Sequence, residues 1–131
     1  MTAFPSIGHV ALTVSDLPAS VAWYGKLFGV EPVLDENVGA FHHTVFPVGG
    51  GLIGLHAHPS TAGEDRFDEY RVGLDHVAFG CADRSELEEW AGRLDGLGVA
   101  HSGIVDAGYG SGLSFRDPDG IALEFFAPPA G

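Results

Sequence analysis

The chain contains one pattern of residues twice, and each copy begins at a histidine. The first copy starts at His9 and the second at His76, and a gapless offset of 67 residues superimposes them. The offset matches His, Val, Ala, Asp, Trp, Gly, Leu and Gly, and it places Lys26 on Arg93. Self-similarity of this length is typical of a duplicated supersecondary unit. Because two copies are too few for a stacked array, the sequence predicts a pair of modules with a site between them, to which each copy brings one imidazole.

Each copy has the pattern of a strand, a helix and three further strands. Residues 7–14 are apolar and β-branched, Pro18 suits a first helical turn, and Gly29 is typical of a helix end. In the second copy, strand 74–81 leads to a helix that begins at Asp83 and ends near Gly96 or Gly98. The remaining strands, separated by glycine-containing turns, are predicted near 30–37, 40–48, 51–58, 99–106, 111–116 and 120–127. The prediction is an α+β fold with two βαβββ modules in one domain, residues 1–131: module one at about 5–59, a linker at about 60–73, and module two at about 74–128.

The charge of the chain narrows the range of partners. It has 131 residues and a formal net charge of −12, from 18 Asp and Glu against 6 Lys and Arg. Nucleic-acid binding requires clusters of basic residues, and the sequence has none. No apolar run is long enough to cross a membrane, and no signal peptide is visible. The only cysteine, Cys81, is predicted to be a buried strand residue, and a single thiol favours a cytoplasmic protein.

Three residues are candidate metal ligands. His9 and His76 occupy the same point of the same predicted strand in the two copies. Glu124 lies in the otherwise apolar strand 121–126, where a carboxylate needs a partner that offsets its desolvation. Two imidazoles and one carboxylate from three strands form the facial arrangement that binds a divalent metal and leaves positions open for ligand or oxygen. The alternative is that Glu124 forms a salt bridge or points outward at a sheet edge.

Three parts of the chain also resemble a known family: the strand that starts with histidine, the helix entry, and a D-P-D-G-x-x-(L/I)-E ending. In this chain they read His9, Val14-Ser15-Asp16, Ser20, Trp23-Tyr24, Leu27-Phe28-Gly29, and Asp117-Pro118-Asp119-Gly120-Ile121-Ala122-Leu123-Glu124. Together they resemble the vicinal oxygen chelate superfamily over about residues 7–127. That superfamily includes glyoxalase I, fosfomycin resistance proteins, extradiol dioxygenases, methylmalonyl-CoA epimerase and bleomycin resistance proteins.

The resemblance implies an architecture and a ligand set. Two paired modules would form an incomplete barrel around a central metal or ligand cleft, and the usual unit would be a homodimer. His9, His76 and Glu124 match the three principal metal ligands, and the metal would be Fe, Ni, Zn or Mn. Glyoxalase-like members have a Glu in a fourth slot on the last strand of module one. Here Gly54 aligns with that slot, and His56 shares its strand face and is the alternative ligand, which argues against glyoxalase I activity.

The net charge of the chain then indicates which of the family's substrate classes it suits. Glutathione adducts, phosphonates and coenzyme A esters are anionic, and an acidic chain with six basic residues suits them poorly. The sequence therefore predicts a metal-dependent protein that acts on a neutral or hydrophobic small molecule with adjacent oxygens. The alternative is a non-catalytic protein of the bleomycin resistance type, which sequesters an antibiotic. The segment 112–116 lacks the Tyr that extradiol dioxygenases carry.

Several further side chains are candidates for the wall of a ligand pocket. The aromatic ones fit either a pocket or an ordinary core, and the sequence leaves both roles open. His42, His43 and His101 have no motif support and are expected to be exposed or to line the pocket, and either Arg71 or Arg116 is a candidate clamp for an anion. The predicted pocket residues are Trp23, Phe41, His43, Phe46, Phe115, Arg116 and Phe126.

Overall fold

A computed structural model describes residues 2–130 and divides at Asp65 and Arg66 into two compact units. The first unit has the order strand, helix, strand, strand, strand. Its elements are β1 (His9–Thr13), α1 (Leu17–Phe28), β2 (Leu34–Asn37), β3 (His42–Val48) and β4 (Gly51–Ala57). Its four strands form one mixed sheet in the order β1-β4-β3-β2, in which β1 and β4 are parallel and the other pairs are antiparallel.

The second unit repeats this plan. Its elements are β5 (Val77–Gly80), α2 (Arg84–Gly96), β6 (His101–Ala107), β7 (Gly110–Arg116) and β8 (Ala122–Ala127). The sheet order is β5-β8-β7-β6, and again only the first pair is parallel. The predicted α+β fold with two βαβββ modules is therefore confirmed.

Both helices begin at an aspartate of the repeated pattern. Asp16 accepts a hydrogen bond from the backbone N–H of Ala19 at 3.1 Å, and Asp83 accepts one from Glu86 at 2.9 Å. These bonds satisfy amide donors that the first turn of a helix leaves without a partner. The first helix ends at Gly29, whose φ of 67° is the left-handed conformation that glycine adopts without strain.

Each unit buries one face of its sheet under its own helix. In the first unit, Phe46 is fully buried and its ring lies 5.4 Å from that of Phe28 on α1. In the second unit, Trp90 on α2 stacks on Phe125 at 4.2 Å. Each leucine fully buried in such a core stabilises the fold by about 1.5–3 kcal/mol. The core residues are Leu12, Val14, Leu17, Tyr24, Leu27, Phe46, Ile53 and Leu55 in the first unit, and Cys81, Leu87, Leu94, Leu113, Phe115, Ile121, Leu123, Phe125 and Ala127 in the second.

Because strand side chains alternate between the two faces of a sheet, the face opposite the helix remains available to form a functional site. The prediction that Cys81 is buried is confirmed, since its exposed fraction is 7%.

The second half of the predicted linker belongs to the second unit, where the N–H of Phe67 donates to the carbonyl of Asp119 at 3.0 Å. Within residues 2–130, neither helix is long and apolar enough to span a bilayer.

Candidate functional site

Two of the three predicted metal ligands lie on neighbouring strands of the second unit. Glu124 is on β8 and pairs with Ala78 of the parallel strand β5. His76 directly precedes β5, so the two-residue period of a strand places it on the face of Ala78. That face is opposite the one that Leu123 and Phe125 bury under α2. The sheet therefore brings an imidazole and a carboxylate to one face, one strand apart.

The Glu124 carboxylate has the surroundings of a ligand group. The residue is half-buried, and no hydrogen bond or ion pair engages its carboxylate within residues 2–130. Its Cδ lies 3.4 Å from the position that a Cβ on Gly112 would take, so the glycine leaves space for the carboxyl group. Strand β8 lies between β5 and β7 and is not an edge strand. Neither structural alternative for Glu124, a salt bridge or a sheet edge, is observed.

His76 is held through one of its two ring nitrogens. Its Nδ1 lies 2.6 Å from Oδ1 of Asp75, and 44% of its side chain is exposed. A carboxylate on Nδ1 fixes the tautomer and leaves Nε2 as the nitrogen that can bind a metal. Asp75 was not among the predicted site residues, although its position next to a candidate histidine ligand is a signal for such a carboxylate partner.

The third predicted ligand, His9, begins β1 in the first unit. Its strand pairs with β4, where Ala11 is opposite Gly54 and Thr13 is opposite His56. His9, Gly54 and His56 therefore share the face that points away from α1. The His56 ring leans toward Gly54, since its Nε2 lies 3.5 Å from the position of a Cβ at residue 54. The imidazole thus occupies the space above the glycine that aligns with the fourth slot.

The His56 imidazole is part of a cluster of rings. It stacks on Phe41 at 4.9 Å and meets its cross-strand neighbour His43 edge to face at 5.1 Å. The pKa of His56 is lowered from its ordinary value, first by burial and then by the charges that His43 and His58 carry when protonated. His9 lowers it further in the same way. At neutral pH, His56 is therefore an uncharged base or ligand.

The predicted pocket residues divide between the two sheet faces. Phe46 and Phe115 have exposed fractions of 0% and 3% and belong to the cores, which is one of the two roles that the sequence left open. Trp23 is half-buried on α1 and packs edge to face on Tyr24. Phe126, by contrast, alternates with the core residue Phe125 and lies on the face of Glu124. Phe41 and His43 lie in the ring cluster of the first unit.

Arg116 is engaged by the segment that precedes module two. Its guanidinium donates two hydrogen bonds to the Glu69 carboxylate, at 2.8 and 3.1 Å, and one to the carbonyl of Gly120 at 2.9 Å. This two-point contact lowers the pKa of Glu69 to about 2. Arg116, one of the two candidate clamps for an anion, is therefore already paired within the second unit.

The Glu69–Arg116 pair predicts an acid-dependent stability. Because the folded-state pKa of Glu69 is depressed, its contribution is present above the ordinary value of 4.5 and is lost as the pH falls toward about 2. We expect Glu69→Gln to be less stable than wild type at pH 7, with the difference shrinking by pH 3. Urea unfolding at both pH values measures this, with Glu64→Gln as a control on an exposed acid of the preceding loop. An equal difference at both pH values would refute the assignment.

Among residues 2–130, no three His, Cys, Asp or Glu side chains are arranged so that they could hold a metal ion together. The His76 and Glu124 pair in the second unit is thus the arrangement on which a metal hypothesis rests. Gly112 and Tyr109 were not among the predicted site residues, and the glycines at every second position, 108, 110 and 112, were the signal that could have identified a strand with open space on one face.

Comparison with known proteins gives consistent matches. The family model "Glyoxalase/Bleomycin resistance protein/Dioxygenase superfamily" matches residues 6–125. Biphenyl-2,3-diol 1,2-dioxygenase 3 of Rhodococcus globerulus is 31% identical over 142 residues, which cover 98% of this chain and 68% of that protein. Metallothiol transferase FosB of Shouchella clausii is 30% identical over 122 residues, with 90% and 77% covered. The glyoxylase/bleomycin resistance protein/dioxygenase domain from Frankia sp. EAN1pec has a TM-score of 0.88 at 32% identity, with 98% and 96% covered.

Proposed function

The chain belongs to the glyoxalase/bleomycin resistance protein/dioxygenase superfamily, and from this premise we propose that it is a metal-dependent enzyme that acts on a neutral small molecule with adjacent oxygens. The observation that carries the proposal is the Glu124 carboxylate. It is half-buried, lacks a protein partner within residues 2–130, and shares a sheet face with His76. A partly desolvated carboxylate is costly unless it is paired, and a divalent metal is the partner that the adjacent imidazole suggests.

The proposed ligands within the second unit are His76 and Glu124, and the family resemblance implies His9 as the third. A nitrogen and carboxylate donor set suits Fe, Mn, Ni or Zn better than Ca. Within the second unit, the donors present fit such an ion, because Asp75 engages Nδ1 of His76 and leaves its Nε2 as a donor, and because Gly112 leaves room for the carboxylate. When bound, the metal would polarise a ligand oxygen and stabilise the negative charge that develops on it.

We propose His56 as the alternative to Gly54 at the fourth ligand slot that the family resemblance implies. Its imidazole lies above Gly54 on the face of His9, and burial lowers its pKa. A neutral imidazole is the form that binds a metal.

The proposed substrate class is an aromatic ring with two adjacent hydroxyl groups, although the segment 112–116 lacks the Tyr that extradiol dioxygenases carry. The name of the Rhodococcus relative specifies such a diol, and its coverage of 68% makes the transfer of activity a proposal. The charge supports it, since a net charge of −12 and the neutralised Arg116 disfavour anionic ligands. A metallothiol transferase is similar in sequence and a fosfomycin resistance protein is similar in fold, but an anionic phosphonate such as fosfomycin suits a chain with a net charge of −12 poorly.

Dioxygen uptake with catechol as the probe tests this proposal. We expect protein loaded with Fe(II) or Mn(II) to consume dioxygen in the presence of catechol, and Glu124→Gln to reduce the rate by at least tenfold. The control is Glu89→Gln, which removes an exposed carboxylate from α2. Binding of catechol or bleomycin without turnover would contradict an enzyme and support the sequestering alternative. A rate unaffected by Glu124→Gln would refute the site.

A further inference from the structure

Two glycines of β7, which lack side chains, leave open space on the sheet face on which Glu124 lies. A Cβ on Gly110 would lie 2.3 Å from Cζ of Phe126, and a Cβ on Gly112 would lie 3.4 Å from Cδ of Glu124. The Phe126 ring and the Glu124 carboxylate therefore each lean over a glycine, one two-residue step apart. Along a strand, that step is about 6.6 Å. A polar group and an aromatic ring thus stand side by side on this face.

Tyr109 extends the aromatic surface beyond Phe126. It precedes Gly110 at the turn between β6 and β7, and its ring is nearly parallel to that of Phe126, with centroids 6.2 Å apart and an interplanar angle of 13°. The Tyr109 side chain is 78% exposed. A ligand that buries this exposed side chain would gain binding free energy, and the two parallel rings offer a flat surface for the ligand.

We propose that Tyr109 and Phe126 form an aromatic wall that binds the planar ring of a substrate whose adjacent oxygens lie at Glu124. This inference rests on the proposed function and adds the residue that selects an aromatic diol over an aliphatic one. Neither sequence motif nor family comparison identifies Tyr109. Its assignment comes from the register that puts Phe126 on the Glu124 face and from the parallel contact of the two rings.

The spacing along β8 agrees with one aromatic ring as the occupant. Glu124 and Phe126 differ by two residues, so a ligand whose oxygens lie near the carboxylate has its ring beside the phenyl group. Offset stacking favours a flat π-system over a puckered ring of similar size. The wall carries no cationic group, which fits an uncharged ligand.

The test compares two diols that differ in the π-system. Catechol and cis-cyclohexane-1,2-diol both offer adjacent oxygens, but only catechol has an aromatic face. Zinc-loaded protein is used because zinc has no redox chemistry that would consume the catechol. Dissociation constants are measured by NMR titration for wild type, Tyr109→Ala and Tyr109→Phe. We expect Tyr109→Ala to weaken catechol binding by about threefold to tenfold, with no change for cyclohexanediol, and Tyr109→Phe to retain wild-type affinity.

The control variant is Tyr70→Ala, which removes a similarly exposed phenol from the segment before module two. Three results would each overturn the inference. Tyr109→Ala could weaken the binding of both diols equally, it could leave catechol binding unchanged, or the wild type could show no preference for catechol. Metal content is measured on the same samples. If Tyr109→Ala loses the preference for catechol but still binds metal, the metal proposal stands. If the preference depends on Tyr109 in protein that binds no metal, the metal proposal alone is refuted.

Discussion

We expect His76→Ala to weaken divalent-metal binding by at least about a hundredfold. The imidazole is the nitrogen donor beside Glu124, and even removing an outer partner of a metal ligand costs 10- to 100-fold in affinity. Wild type is expected to bind one metal per chain. The thermal shift that metal produces in wild type, equivalent to about 2.7 kcal/mol at a concentration a hundred times the dissociation constant, should disappear in the variant.

Equilibrium dialysis followed by metal analysis measures the stoichiometry, and a thermal scan with and without metal measures the shift. His42→Ala is the matched control, because His42 has a similarly exposed side chain and pairs with an aspartate, Asp35, in the first unit. The same metal stoichiometry in His76→Ala as in wild type would refute the assignment of this histidine.

Gly110→Ala is expected to destabilise the protein by about 2–4 kcal/mol. The φ of Gly110 is 144°, which side-chain-bearing residues rarely adopt, and the added Cβ would lie 2.5 Å from the carbonyl oxygen of Ala127 as well as 2.3 Å from Phe126. The backbone strain costs about 1–3 kcal/mol, and the overlap with fixed neighbours adds a further cost of similar size. The carbonyl cannot move away without breaking the strand, so the variant must shift β7 or β8.

Gly108→Ala provides the control, since a Cβ at residue 108 would have no neighbour within 4 Å. Urea unfolding midpoints measure both changes. A Gly110→Ala variant as stable as Gly108→Ala would show that β7 and β8 are not packed as described. A destabilised variant that also loses its preference for catechol over the aliphatic diol would link the position of the Phe126 ring to ligand selection.

The amino-acid sequence determined the order of elements and the main candidates for the site. Its repeat predicted two equal modules, and the aspartates that begin both helices lie at equivalent positions of that repeat. Periodicity also predicted that Glu124 is on the opposite face from Leu123 and Phe125, because strand side chains alternate. These features are local: they depend on neighbouring residues, which the sequence shows directly.

Only the tertiary structure decided which rings belong to a core and which carboxylates are paired. Phe115 and Phe126 are both aromatic strand residues, but Phe115 is buried under α2 and Phe126 leans over a glycine of the next strand. Arg116 and Glu69 are 47 residues apart, and no local pattern predicts their contact. The position of the His56 ring over Gly54 likewise follows from the fold and from no local pattern. Side-chain direction and long-range pairing depend on which strands become neighbours and in which register, and that information is absent until the chain has folded.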